Sequence, residues 1–195
     1  MAAGSAGATQ ITSIGDPALS GSTIIDFDNQ PTQDFLSLTL SGVTFTAAAG
    51  GYTLRTAPFT EGGVYGGSGQ ELSTQNSNVG FTISFATPVS AFGMNWGGAN
   101  ENWTVSLFDS ANAPIEMLTF LGGDPGKGAT YIEFYGAKAN DIKYVSFVAQ
   151  NADWVKIDDF HFVPTSTAPV PEPATLLLIV TGLGGAVASR RRRLR

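Results

Sequence analysis

The sequence predicts an all-β chain: a jelly-roll-like antiparallel β-sandwich, followed by a proline-rich linker and a single C-terminal transmembrane helix. Three observations point there. Phe81, Ile83 and Phe85 alternate with Thr82 and Ser84, and Trp103, Val105 and Leu107 alternate with Thr104 and Ser106, the period of two of strands with one buried face. Clusters such as Ala99-Asn100-Glu101-Asn102 and Gly122-Gly123-Asp124-Pro125-Gly126 punctuate short apolar runs, and no window of ten or more body residues keeps a helical period. From Val163 the composition changes abruptly, to four prolines in eleven residues and then an uncharged run ending in arginines.

The elements follow in order. Residues 1–19 read as a flexible N-terminus of small residues, in which Ala6-Gly7-Ala8 has the A-x-A form of a signal-peptide cleavage site; the segment is either a signal-peptide remnant or an ordinary free end. Residues 20–163 form the sandwich. Besides the two alternating runs, strands are expected at Thr23–Phe27, Leu36–Leu40, Val43–Ala47, Val89–Trp96, Ile115–Phe120, Thr130–Tyr135, Lys143–Ala149 and Val155–Val163. Eight to ten short strands of this kind suit two packed antiparallel sheets. Residues 164–173 are the linker, extended because proline fixes φ and removes backbone donors. Residues 174–195 are the tail: Ala174 to Ser189 carry no charge and span about 24 Å as a helix, a little short of a hydrocarbon core of about 30 Å. Arg190, Arg191, Arg192, Arg193 and Arg195 then act as a stop-transfer block that keeps the C-terminus cytoplasmic and the body outside.

Charge excludes one class of partner. The 195 residues carry 10 basic and 16 acidic side chains, a net of −6. Five of the bases are the terminal arginines, so residues 1–189 hold 5 bases against 16 acids, a net of −11. A body this acidic repels phosphate backbones, so nucleic acid is not an expected partner. With no cysteine and a single histidine, disulfides, thiolate metal sites and thiol catalysis lack their parts.

Two candidate sites stand out. Asp26 and Asp28 flank Phe27 near the first strand, and Asp158 and Asp159 interrupt the phase of the last, where a β-bulge would let Ile157, Phe160 and Phe162 all face the core. If first and last strands are neighbours, these acids meet, and calcium is the cation suited to carboxylates without histidine or thiol; no other cofactor is expected. The alternative is solvated or turn-capping acids. Trp96 and Trp103 enclose a polar loop containing Asn100, and Trp154 follows Asn151 and Asp153; rings beside amides and carboxylates are what a sugar needs. The phases of Trp96 and Trp103 fit a core equally well. The glycine-rich run Glu61 to Gln70 lacks the Lys-Ser/Thr of a phosphate loop and reads as a mobile loop. His161 and Asp159 have no serine in a nucleophile-elbow setting beside them, so no catalytic residue is assigned.

Val170-Pro171-Glu172-Pro173, the apolar span and the terminal arginines together resemble the PEP-CTERM sorting signal of exported bacterial proteins, over roughly the last 26 residues. The resemblance implies a partner, an exosortase-type membrane enzyme that recognises the Pro-Glu-Pro motif and removes the tail. It further implies anchoring in the inner membrane during export, then a place at the cell surface or in an extracellular matrix of exopolysaccharide or biofilm. Short phrases of the body, Phe85–Gly93, Val105–Ser110 and Ile157–Phe162, resemble β-sandwich cargo of that system. The expected function is thus a non-enzymatic surface or matrix protein; the alternatives are a carbohydrate-binding module and, third, a secreted glycan hydrolase.

Overall fold

The computed structural model describes residues 7–50, 52–58, 69–75, 79–122 and 132–165. These form an all-β antiparallel sandwich with twelve strands: β1 Thr9–Ile11, β2 Thr23–Ile25, β3 Gln33–Phe35, β4 Ser37–Leu40, β5 Val43–Ala47, β6 Leu54–Pro58, β7 Gln70–Thr74, β8 Gly80–Gly97, β9 Trp103–Phe108, β10 Pro114–Phe120, β11 Ile132–Ala149 and β12 Lys156–Pro164. Two pairs of expected strands turn out to be single long ones. The runs at Phe81 and Val89 join in β8, and those ending at Tyr135 and beginning at Lys143 lie within β11, each 18 residues long.

The long strands explain why the two layers belong to one hydrogen-bonded sheet. The first half of β8 pairs with β5 and with the second half of β11, which continues to β9 and β10. The second half of β8 pairs with β12 and with the first half of β11; β12 leads on to β7, β6 and β3. Register shifts in β11 between Lys138, Ile142 and Tyr144 let the strand bend from one layer to the other, as bulges do.

Aromatic rings from both layers fill the space between. Phe81 stacks on Phe147 at 4.4 Å, Trp96 lies against Phe81, Trp103, Phe120 and Phe147, Phe45 meets Phe160 edge-on at 5.3 Å, and Phe120 stacks on Tyr135. Each such ring contributes about 1.5–3 kcal/mol by leaving water. The bulge expected in the last strand is present: β12 shifts register between Asp158 and His161, with Asp159 at φ 45°, and Ile157, Phe160 and Phe162 all reach the core.

The N-terminus departs from expectation. Instead of a free end over 1–19, β1 pairs with β11, and a single 3₁₀ turn at Pro17–Leu19 follows, its Asp16 cap accepting from the Ala18 amide. Ile11 and Leu19 are buried with Ala91 on the outer side of the second layer, and Phe134 and Val163 pack against them. Lys138 reaches Asp16 at 3.1 Å, and Ser22 Oγ lies 2.9 Å from His161 Nδ1. A strand with one deeply buried apolar residue has too little periodicity to be seen in sequence; the burial exists because β8 and β11 offer a surface there. Gly93 makes room for it, since a side chain at that position would collide with the Phe134 ring. The folded body therefore begins well before residue 20. It also runs past 163, because the Thr165 amide and hydroxyl both donate to Pro88 O. The rest of the linker, the sorting tail and its arginines lie outside the described residues, as does most of the glycine-rich run. Among the described residues no helix is long and apolar enough to cross a membrane.

The two layers present different outer faces. On the first, the register aligns three rows across β4, β5, β8, β11, β9 and β10. One reads Thr39, Thr44, Ser84, Tyr144, Phe108; the next Ser37, Thr46, Thr82, Ser146, Ser106, Met117; the third Gly80, Val148, Thr104, Thr119. Ten of these fifteen positions are Ser or Thr and none is charged. On the second layer, one row reads Asp34, Arg55, Ser73, Lys156, Gly97.

Candidate functional site

The candidate site lies where the charged row of the second layer meets Trp154. Leu72, Ile157 and Trp96 point into the core, so the alternating positions Glu71, Ser73, Lys156, Asp158 and Asn95 lie on the opposite face. At the sheet's edge Arg55 and Asp34 form a two-pronged exposed pair, with Nε–Oδ1 at 2.6 Å. Further in, Lys156 Nζ lies 3.1 Å from Glu71 Oε1, with both side chains about 5% exposed or less. A buried ion pair is bought with desolvation, and removing one partner strands the other charge. The Lys156 ammonium also sits 5.1 Å from the Trp154 ring centre, within cation–π range.

Trp154 itself is 46% exposed. Val155 N donates to Thr74 Oγ1 and Thr74 N donates to Val155 O, which pin the segment to β7. One residue before Trp154, the buried carboxylate of Asp153 gathers donors from the facing loop: Trp103 Nε1 at 2.8 Å and the amides of Asn100 and Glu101 at 3.2 Å. Gln150 N donates to Asn102 O, a further bond between the two loops.

The sequence candidates separate in this frame. Trp154 is an exposed ring and Asn100 an exposed amide, tied together through Asp153. Trp96 and Trp103 are 2% and 0% exposed, and their expected role as sugar contacts is corrected. Their alternation placed them in the core, between Phe81, Phe120 and Phe147. Sequence reasoning missed Glu71 and Lys156, and it set Asp153 beside Trp154 without its bonds to the facing loop. Asp153 has no periodic signal, and Glu71 stands in a short polar strand, Gln70–Thr74, that looks like loop.

The four acids of the calcium expectation are not gathered into one cluster among the described residues. The premise holds, for β2 pairs with β12 through Ile25–Phe160 and Thr23–Phe162. The acids nonetheless go separate ways. Asp26 Oδ1 accepts from Asp28 N, and Asp28 Oδ1 accepts from Gln70 N at 2.8 Å, in a turn where Phe27 has φ 57° and drops into the core. Gly69, at φ +74°, leaves no room for a side chain beside that carboxylate. Asp158 Oδ1 accepts from Asp159 N, and Asp159 Oδ2 from Asn95 Nδ2 at 3.0 Å. Among the described residues no three His, Asp or Glu side chains gather as a metal would need.

His161 finds a serine that sequence spacing did not reveal, Ser22, and Phe134 lies edge-on to its ring at 5.9 Å. Burial lowers the imidazole below its ordinary value of 6.5, and the Asp159 charge offsets part of that shift.

Residues 169–193 match the family model of the PEP-CTERM protein-sorting motif. The chain carries a PEP-CTERM sorting motif. It covers Val170-Pro171-Glu172-Pro173 together with the apolar run and Arg190 to Arg193, and it implies export to the cell envelope or surface. No curated protein matches the chain in sequence. Among solved structures, the CBM22-1 xylan-binding domain from Paenibacillus barcinonensis is 15% identical, over 71% of this chain and 95% of that one, with a TM-score of 0.42. A variant of the family 29 carbohydrate-binding module CBM29-2 is 12% identical over 78% and 98%, at 0.37. The enzymatically active domain of a tailspike protein of Bacteriophage CBA120 is 11% identical over 64% and 20%, at 0.39. At likenesses this loose no residue and no ligand transfers.

Proposed function

We propose that this PEP-CTERM protein is a non-enzymatic component of the bacterial cell surface or extracellular matrix, among exopolysaccharide or biofilm. The single observation that carries the reading is the sorting motif at residues 169–193. In this account Ala174 to Ser189 hold the chain in the inner membrane, and the arginines keep the C-terminus cytoplasmic. An exosortase-type enzyme then cuts near Val170-Pro171-Glu172-Pro173. The test is fractionation of the native bacterium with mass spectrometry of the C-terminus. A mature chain outside the cell, ending near Pro173, is the expected result; an intact chain ending at Arg195 in the cytoplasm would overturn the reading.

One observation favours a second reading, a carbohydrate-binding module. Trp154 presents half its surface to solvent, and the exposed Asn100 is tied to its neighbour Asp153, which gives a flat apolar surface with an amide close by in the fold. Trp154→Ala should then weaken glycan binding by at least about tenfold, as loss of an anchoring aromatic does, in a protein that a thermal melt shows to be folded. A Trp154→Ala protein that binds glycans as the wild type does would remove this reading while leaving the sorting account intact.

A further inference from the structure

The hydroxyl-rich face of the first layer is a surface that neither the sorting motif nor Trp154 accounts for. Neighbouring strands put its hydroxyls about 4.8 Å apart across the sheet and about 6.7 Å apart along each strand. Thr39 and Thr44 bond to one another at 2.9 Å and Ser37 to Thr46 at 3.2 Å, so the side chains at this edge stand in register. Hydroxyl rotors donate or accept as needed, which lets one array match another array of hydroxyls. Beside the array, Phe108 and Tyr144 form a half-buried pair with centroids 5.6 Å apart, a surface for the C–H face of a pyranose.

Charge narrows the occupant. Residues 1–189 carry a net of −11, yet no charged residue occupies the fifteen positions of this face. Polyanionic chains are repelled by such a body, while an uncharged polymer meets no charge on this face that it would have to desolvate. We infer that the Ser/Thr face spanning β4, β5, β8, β11, β9 and β10 binds an extended neutral polysaccharide, with Phe108 and Tyr144 as its stacking edge. The inference is independent of Trp154, which lies outside the three rows.

The test is affinity electrophoresis of the full chain through native gels holding hydroxyethylcellulose or galactomannan, with alginate as the anionic control. Retardation by a neutral polymer and not by alginate is expected. Ser106→Arg, in the middle row of the face, and Thr119→Arg, on the exposed edge strand, should each weaken apparent affinity by at least about tenfold. Trp154→Ala should change it by less than about twofold. Thermal melts verify folding, and Thr119→Arg decides if Ser106→Arg does not fold, because Thr119 is exposed. Four results would overturn the inference: a wild type that neither neutral polymer retards; folded arginine variants retarded like wild type; loss confined to Trp154→Ala, which leaves the Trp154 reading standing; or arginine variants that only convert a dimer to a monomer in sedimentation, which makes the face a contact between copies.

Discussion

The two outer faces of this sandwich follow the same alternation and arrive at opposite electrostatics. The first layer points outward ten hydroxyls and no charge. The second points outward Asp34, Arg55, Lys156, Glu71 and Asp158, and buries the last three. Ser37, Thr39 and Thr119 are exposed and the other seven half-buried, and hydroxyls that water reaches cost the fold almost nothing. Buried charges must be paired, so the second face is the one whose residues depend on one another. A sheet's period of two therefore says which residues face away from the core and nothing about whether they meet water.

Breaking that interdependence gives the largest expected effect. Lys156→Ala should destabilise the protein by about 3–5 kcal/mol in urea titrations, because it leaves the Glu71 carboxylate buried without its ammonium. The paired change Lys156→Met with Glu71→Leu should recover most of that loss, since it removes both charges. A double variant no more stable than Lys156→Ala would mean the pair is not the source of the penalty.

The next effect is set by pH. The unfolded chain protonates His161 near 6.5, the folded chain only at lower pH because burial disfavours the cation. Its contribution is present in full above 6.5 and is lost as pH falls through the lower folded value. Midpoints in urea should drop between pH 7.5 and 5, and His161→Gln should flatten that part of the profile. A profile identical in the variant would assign the acid loss to other groups.

Smaller still are substitutions on the first face. Ser146→Ala and Thr104→Ala should each stay within about 0.5 kcal/mol of wild type, as substitutions away from buried networks do. A loss of 2 kcal/mol or more, which is about four times that bound, would show this face to be as interdependent as the other. The smallest expected effect is that of calcium. Asp26, Asp28, Asp158 and Asp159 accept from donors of the protein in separate places, so added calcium or a chelator should leave the thermal midpoint unmoved. A calcium-dependent rise would show that these acids bind the ion.

The sequence alone determined the all-β class, the bulge at Asp158-Asp159 and the sorting motif, because each is written in local order. Alternation at Phe81–Phe85 and Trp103–Leu107 marks strands wherever they lie in space, and a linear address of Pro-Glu-Pro, apolar run and arginines must be legible in the unfolded chain. The tertiary structure decided the rest. It tied Thr9–Leu19 to the outside of β8 and β11, joined two pairs of strands into single bending ones, and buried Trp96 and Trp103 while leaving Trp154 exposed. It also sent four aspartates to separate partners and paired Lys156 with Glu71 across 85 positions of sequence. These outcomes depend on which surfaces meet, and burial, unlike periodicity, is a property of the neighbour as much as of the residue.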